Sequence, residues 1–163
     1  MNSRILITYA TRAGSTAEVA GDIGEVLGDR GFIADVVPVK ENPPLGGYQA
    51  VLIGSAIRMG SWLPEAVQFI QNNQQALRQV PVALFTVHGI NLGDDEHSRA
   101  SREAYLDAVR PFLTPMEHVF FPGKIDPARL SLIDRLMVRL VKAPIGDLRD
   151  WKTIDGWAQS VLN

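Results

Sequence analysis

Apolar residues in this chain come in short unbroken blocks, separated by longer stretches in which they recur every three to four positions. Arg4 to Ala10, with Ile5-Leu6-Ile7 inside, reads as a short buried strand. Phe32 to Val39 alternates as a second strand. Tyr48 to Gly54 forms a third, apolar enough to be buried on both faces. Val82 to Val87 is the fourth, and His118 to Phe121, closed by Pro122-Gly123, is the fifth. The helical spacing of Val19, Ile23, Val26 and Leu27 predicts a helix over Ser15 to Arg30, stopped by Gly31. Gly24 and Gly28 inside it suit close packing on a sheet. Pro64 opens a helix through Val67, Phe69, Ile70 and Leu77 that ends before Pro81. Another runs from Ser98 to Leu113, with Ala104, Tyr105, Ala108, Val109 and Phe112 inward. Asp126-Pro127 starts an apolar helix to Lys142, broken by Pro144 and Gly146. Asp150 caps a last helix with Trp151, Ile154, Trp157, Ala158, Val161 and Leu162 on one stripe.

Five strands alternating with helices predict an α/β fold with a parallel sheet between helical layers. The length suits one domain over residues 1–163. Ligands of such sheets bind at the carboxyl ends of the strands, beside the switch point in strand order. In the order 2-1-3-4-5, the loop after the first strand and the loop Ser55 to Trp62 meet there, with His88 to Asn91 alongside.

The first of these loops carries the clearest chemistry. Between strand and helix stand Thr8-Tyr9-Ala10-Thr11-Arg12-Ala13-Gly14-Ser15-Thr16, with no acidic side chain. A strand turning straight into a helix aims free backbone N–H groups at one point, where the helix dipole adds positive charge. That arrangement suits phosphate. Thr11, Ser15 and Thr16 can add O–H donors, and Gly14 allows close approach. Neither G-x-x-x-x-G-K-[ST] nor G-x-G-x-x-G is present. A lysine-free hydroxyl loop suits a monophosphate better than a magnesium-bound triphosphate. The plainer alternative is an ordinary turn with Ser15 as helix cap and Glu18 completing a capping box.

Composition narrows the chemistry. With net charge −2 the chain has no general attraction for nucleic acid. It has no cysteine, so redox work requires a bound cofactor. No apolar run approaches the roughly 20 residues of a membrane span. No leader pattern precedes the first strand, so the expected location is cytoplasmic. No residues stand at a metal-ligating spacing, and no metal is expected.

The chain resembles flavodoxin-like FMN proteins over nearly its whole length. Tyr9 to Thr16 is similar to their phosphate loop. The resemblance implies FMN, its phosphate held at Thr11, Arg12, Ala13, Gly14, Ser15 and Thr16. It places the flavin ring between Ser55, Ala56, Ile57, Arg58, Met59 and Gly60 on one side and Val87, His88 and Gly89 on the other. A narrower likeness is to the menaquinone-dependent protoporphyrinogen oxidase branch. It rests on Ile53-Gly54-Ser55-Ala56-Ile57-Arg58-Met59-Gly60, on Asp134-Arg135-Leu136-Met137-Val138-Arg139-Leu140, and on Asp150-Trp151. That branch implies an enzyme of heme biosynthesis that oxidises protoporphyrinogen IX through FMN and passes electrons to a quinone. The other reading is a flavodoxin-type carrier that docks on a redox partner protein and has no small-molecule substrate of its own.

Within that frame Arg58 and His88 are the candidate catalytic residues. The Ser55–Trp62 loop offers Arg58 and no carboxylate, so its cation would favour an anionic reduced ring or bind a tetrapyrrole propionate. A solvated loop arginine is the plain alternative. His88 ends the fourth strand, where it could contact flavin or substrate and move a proton, or stand as a plain loop histidine. Met59 and Trp62 are candidates to cover a flavin face, and Tyr9 reads as strand-end packing. Asp94, Asp95 and Glu96 read as a solvated run capping the next helix. Leu130 to Lys142 is a basic amphipathic helix with Arg135, Arg139 and Lys142 opposite its apolar side. It reads either as a core helix with a basic outer face or as a peripheral contact with an anionic membrane.

Overall fold

The computed structural model of the chain describes residues 3–125, 131–140 and 146–163. The expected start of the apolar helix at Asp126-Pro127, its flanks Leu130, Val141 and Lys142, and the break at Pro144 lie outside the described residues.

β1 (Arg4–Ala10) leads into α1 (Ser15–Asp29), followed by β2 (Ile33–Pro38), β3 (Ala50–Arg58) and β4 (Ser61–Trp62). Next come α2 (Pro64–Asn72), α3 (Gln74–Leu77), β5 (Val82–His88), α4 (Glu96–Ala104), β6 (Glu117–Pro122) and β7 (Lys124–Ile125). The chain closes with α5 (Leu132–Leu140), β8 (Gly146–Asp147) and α6 (Trp151–Ser160). The parallel strands run in the order β2-β1-β3-β5-β6, the expected 2-1-3-4-5, with β4 added as a short antiparallel partner of β3.

The central strands β1, β3 and β5 are buried on both faces because they are apolar at successive positions. Ile5, Ile7, Leu52 and Phe85 pack under α1 and α6, against Val19, Ile23, Leu27, Ile154 and Ala158. Leu6, Val51, Ile53 and Leu84 point the other way, onto Leu63, Phe69, Ile70, Leu106 and Val109. Each such side chain withdrawn from water contributes roughly 1.5–3 kcal/mol. The result is the helix–sheet–helix layering expected for an α/β chain. A Cβ at Gly54 would lie 2.1 Å from the Phe85 ring, so that ring packs only over glycine. Gly24 likewise sits against Val36, whereas Gly28 has open space and makes no such approach.

Three elements depart from expectation. β3 does not end at Gly54. It continues to Arg58 and folds back on Ser61-Trp62, with Met59 and Gly60 both left-handed at φ 54° and 77°. Two successive positive φ values form the tight hairpin turn whose twist matches the strands. The Pro64 helix breaks at Asn73, so Leu77 belongs to α3. The helix expected to reach Leu113 ends at Ala104 and gives way to turns. Pro111 has no N–H to donate and disfavours helix in the residue before it. Tyr105, Leu106, Val109 and Leu113 remain buried there, whereas Ala104 is exposed.

Candidate functional site

A cavity of about 320 Å³ opens at the carboxyl ends of β1, β3 and β5, beside the switch point. A second hollow of about 350 Å³ lies at the amino ends of β5 and β6, bordered by Val82 and Met116, where no strand delivers a loop. The carboxyl-end cavity holds most of the candidate residues. Thr11, Arg12, Ala13, Ser15, Thr16, Ala56, Ile57, Arg58, Met59, Gly60, Val87, His88 and Gly89 all line it. Gly14 and Ser55 do not.

The hydroxyl end is built by the start of α1. Its cap is Gly14, left-handed at φ 90°, with no side-chain capping bond. Ser15 is therefore inside the helix rather than its cap, and Glu18 completes no capping box. Glu18 instead accepts from Arg149 Nη1 at 2.8 Å. The Gly14 N–H donates to Thr11 Oγ1 at 3.0 Å. The Lys124 N–H donates to Ser15 Oγ at 3.1 Å. Each of those oxygens is accepting, so its own O–H is left to donate elsewhere. Thr16 Oγ1 is fully buried and has no partner. A buried hydroxyl without a partner is uncommon and points to a missing acceptor. Three hydroxyl donors, the first-turn N–H groups of α1 and Lys124 in the wall together fit a phosphate monoester.

Arg12 is tied outward, with Nη1 and Nη2 on the two carboxylate oxygens of Glu65 at 2.7 and 3.3 Å. Ser55 is buried. Its Oγ donates to Ala56 O and accepts the Leu63 N–H, which locks the hairpin onto the start of α2. Trp62 is 2% exposed and gives its Nε1–H to Thr86 Oγ1 at 2.9 Å. It is a core residue and covers no cavity face. Tyr9 packs against the core at the strand end.

The middle of the cavity is apolar, with Ala56 and Ile57 on one side and Val87 and Ile90 on the other. His88 is buried, and its Nδ1 lies 2.8 Å from Ile90 O. A carbonyl only accepts, so Nδ1 carries the proton and Nε2 is left as the acceptor. Burial pushes the imidazole pKa down, so the ring is neutral at pH 7. Tyr105 and Phe120 hold it from two sides, with ring centroids 5.8 and 6.2 Å away.

Arg58 is not the unpaired loop cation expected. Its Nε donates to Asp134 Oδ1 at 2.8 Å, so α5 supplies a carboxylate that the hairpin lacks. Asp134 and Met137 line the cavity from that side. Nor is α5 a core helix with a basic outer face. Leu132, Ile133, Leu136 and Leu140 are all strongly exposed. Asp95 caps α4 by accepting the Ser98 N–H at 3.0 Å, as its acidic run suggests. Among the described residues no three metal-ligating side chains come together, and no helix is long and apolar enough to cross a membrane.

Gly123 and Lys124 are lining residues that the sequence reading does not place at the site, whereas Ile90 lies in the His88–Asn91 loop and Asp134 and Met137 lie in the segment that carries the narrower likeness. Gly123 and Lys124 could have been found. The rule that points to loops after the first, third and fourth strands applies equally to the loop after the fifth.

The fold is shared with solved structures. A flavodoxin from the domain Archaea superposes with TM-score 0.58 at 14% identity, covering 97% of this chain and 95% of its own. Curated relatives extend over nearly the whole chain. The protoporphyrinogen IX dehydrogenase [quinone] of Escherichia coli (strain K12) is 25% identical over 176 residues, covering 98% of this chain and 95% of that protein. The Leishmania major protein of the same name is 24% identical, covering 90% of this chain and 65% of its own. The family model described as "Flavodoxin domain" matches residues 6–150. Matched by that model over most of its length, the chain belongs to the flavodoxin domain family.

Proposed function

We propose that the protein is an FMN-dependent oxidoreductase of the protoporphyrinogen IX dehydrogenase type. It would take electrons from a reduced tetrapyrrole and pass them to a quinone. The observation that carries this reading is the composition of one cavity, in which an unsatisfied hydroxyl end adjoins an apolar slot and a paired arginine. Similarity over nearly the whole length of a bacterial enzyme of that name, and over 65% of a protozoan one, supports it.

Bound FMN would supply the two-electron chemistry. The chain's own residues bind, orient and move protons. Thr11, Ser15 and Thr16 hold the phosphate through their O–H groups, with Lys124 adding positive charge. Ile57 and Val87 give the ring an apolar slot that excludes water. His88 Nε2 stands ready to take the proton that must leave a porphyrinogen carbon or nitrogen with each two-electron oxidation, while Ile90 O fixes the tautomer. Arg58 has five N–H donors and uses Nε on Asp134, which leaves a fork suited to a propionate. Each turnover would remove two electrons and two protons from the tetrapyrrole and convert one quinone to a quinol.

The test is anaerobic mixing of the FMN-loaded protein with protoporphyrinogen IX and a menaquinone analogue. Porphyrin fluorescence that rises only when both FMN and quinone are present supports the reading. Flavin that stays oxidised in the presence of porphyrinogen overturns it.

A further inference from the structure

The loosest wall of the cavity is α5. Among its described side chains Asp134 and Met137 are half-buried and line the cavity, and the others are exposed. Leu132, Ile133, Leu136 and Leu140 are 80, 66, 55 and 67% exposed. At about 100° per residue these four fall within one outward arc of about 100°. Arg135 and Arg139 run along one edge of that arc. Asp134, the only acidic residue of α5, lies on the far side, toward the cavity. Met59, 76% exposed, stands beside Arg58 on the same rim.

An apolar strip this exposed marks a surface made to be covered. The basic edge selects an anionic occupant. A second copy fits poorly. The nine described residues make a helix of about 14 Å, and a strip of that length about 10 Å wide offers far less than the roughly 800 Å² per partner that a standard interface buries. An antiparallel pairing of two copies would also set the Arg135–Arg139 edge against itself. A bilayer surface asks for what the helix presents, an apolar strip in the plane with arginines at headgroup level.

One ion pair ties this helix to the hairpin. Arg58 Nε holds Asp134 Oδ1 at 2.8 Å, and the Arg58 side chain is 39% exposed, open to a headgroup phosphate. Resting on the FMN reading above, we propose that α5 is a lipid-docking cover. Its apolar strip settles on an anionic membrane surface, a lipid phosphate replaces Asp134 on Arg58, and the released helix opens the cavity.

The absence of cysteine makes the test clean, because Leu136→Cys in the full chain accepts a single environment-sensitive fluorophore. The probe is a vesicle of two parts phosphatidylcholine to one part phosphatidylglycerol, with pure phosphatidylcholine as control. The label should shift to the blue on the anionic vesicles alone, and added salt should reverse the shift. In the unlabelled protein the same vesicles should raise hydrogen exchange across residues 56–60 and 87–90. They should also speed FMN association by about fivefold, as removal of a gate does. Asp134→Asn should show the fast rates without vesicles, and vesicles should add nothing. Leu136→Asp, at an exposed site, should fold normally and lose vesicle binding. A label that does not move overturns the docking surface. A label that moves while exchange and FMN rates stay unchanged, in wild type and in Asp134→Asn alike, overturns the latch. Failure of FMN to bind any form would reject the cofactor reading instead, and the label and exchange results would still judge the cover.

Discussion

At the α1 end of the cavity the wall is part of the core, whereas at the α5 end the described residues are held to the hairpin through the Arg58–Asp134 ion pair. The start of α1 is followed at once by Val19, Ala20 and Ile23, all fully buried. Arg149, its side chain 5% exposed, ties Glu18 of α1 to Asp147 of β8 and stacks 4.7 Å over Trp151 of α6. Asp147 is accordingly held down to about 2, chiefly by its bond to Arg149. At the other end, α5 faces solvent with most of its apolar side chains. On the proposed function, the difference separates two tasks. A phosphate needs donors already in place, because a preorganised site avoids the cost of ordering at binding. A large substrate needs a wall that can move aside.

Four substitutions sharpen or break that contrast. The largest effect is expected at Thr16→Val, which keeps the shape and removes the orphan hydroxyl. A lost hydrogen bond to a charged group is worth roughly 1.5–3 kcal/mol, so FMN affinity should fall about 10- to 100-fold by fluorescence titration. Thermal stability should hold or rise, since that hydroxyl has no partner in the fold. Next, Arg149→Gln should cost about 1.5 kcal/mol in chemical denaturation, because it releases α1, β8 and α6 together.

The third is a test by pH. Asp22 on α1 is pushed up to about 7 from 3.8, first by burial and then by Asp155 of α6. Between those values the folded chain keeps a proton that the unfolded chain has lost, so stability falls as pH rises through that window. Asp22→Asn should leave stability unchanged at pH 4 and raise it by about 1 kcal/mol at pH 8, allowing for solvent screening. A variant with the same slope as wild type would show that the pair does not share its proton in this way. The smallest effect is at α5. Asp134→Asn breaks a surface ion pair and should change global stability by less than about 0.5 kcal/mol. A loss as large as that at Arg149 would show that α5 belongs to the packed fold after all.

The sheet was legible because its central strands β1, β3 and β5 are apolar on both sides, a signal that survives without knowledge of tertiary contacts. The α1 loop was legible for a similar reason, since strand, hydroxyls and helix follow each other directly in Ile7 to Val19. The hairpin was not, because Arg58-Met59-Gly60 lacks the Asn-Gly signature and Met59 takes a positive φ that its side chain does not advertise. The placement of α5 was not legible either. Its amphipathic pattern is the same whether the apolar side meets core or solvent, and only packing decides between them. The Arg58–Asp134 pair joins residues 76 apart in sequence, which no local pattern shows. Trp62 misled for the opposite reason, since its position beside the loop suggested a ring cover while Thr86 holds it in the core.

The most direct test of the central claim is stepwise anaerobic reduction of the FMN-loaded protein, followed by spectroscopy and then by a menaquinone analogue. The account predicts a direct two-electron conversion without a persistent long-wavelength band, and rapid reoxidation by the quinone. A stable half-reduced species that the quinone does not discharge would contradict it and identify the protein as an electron carrier.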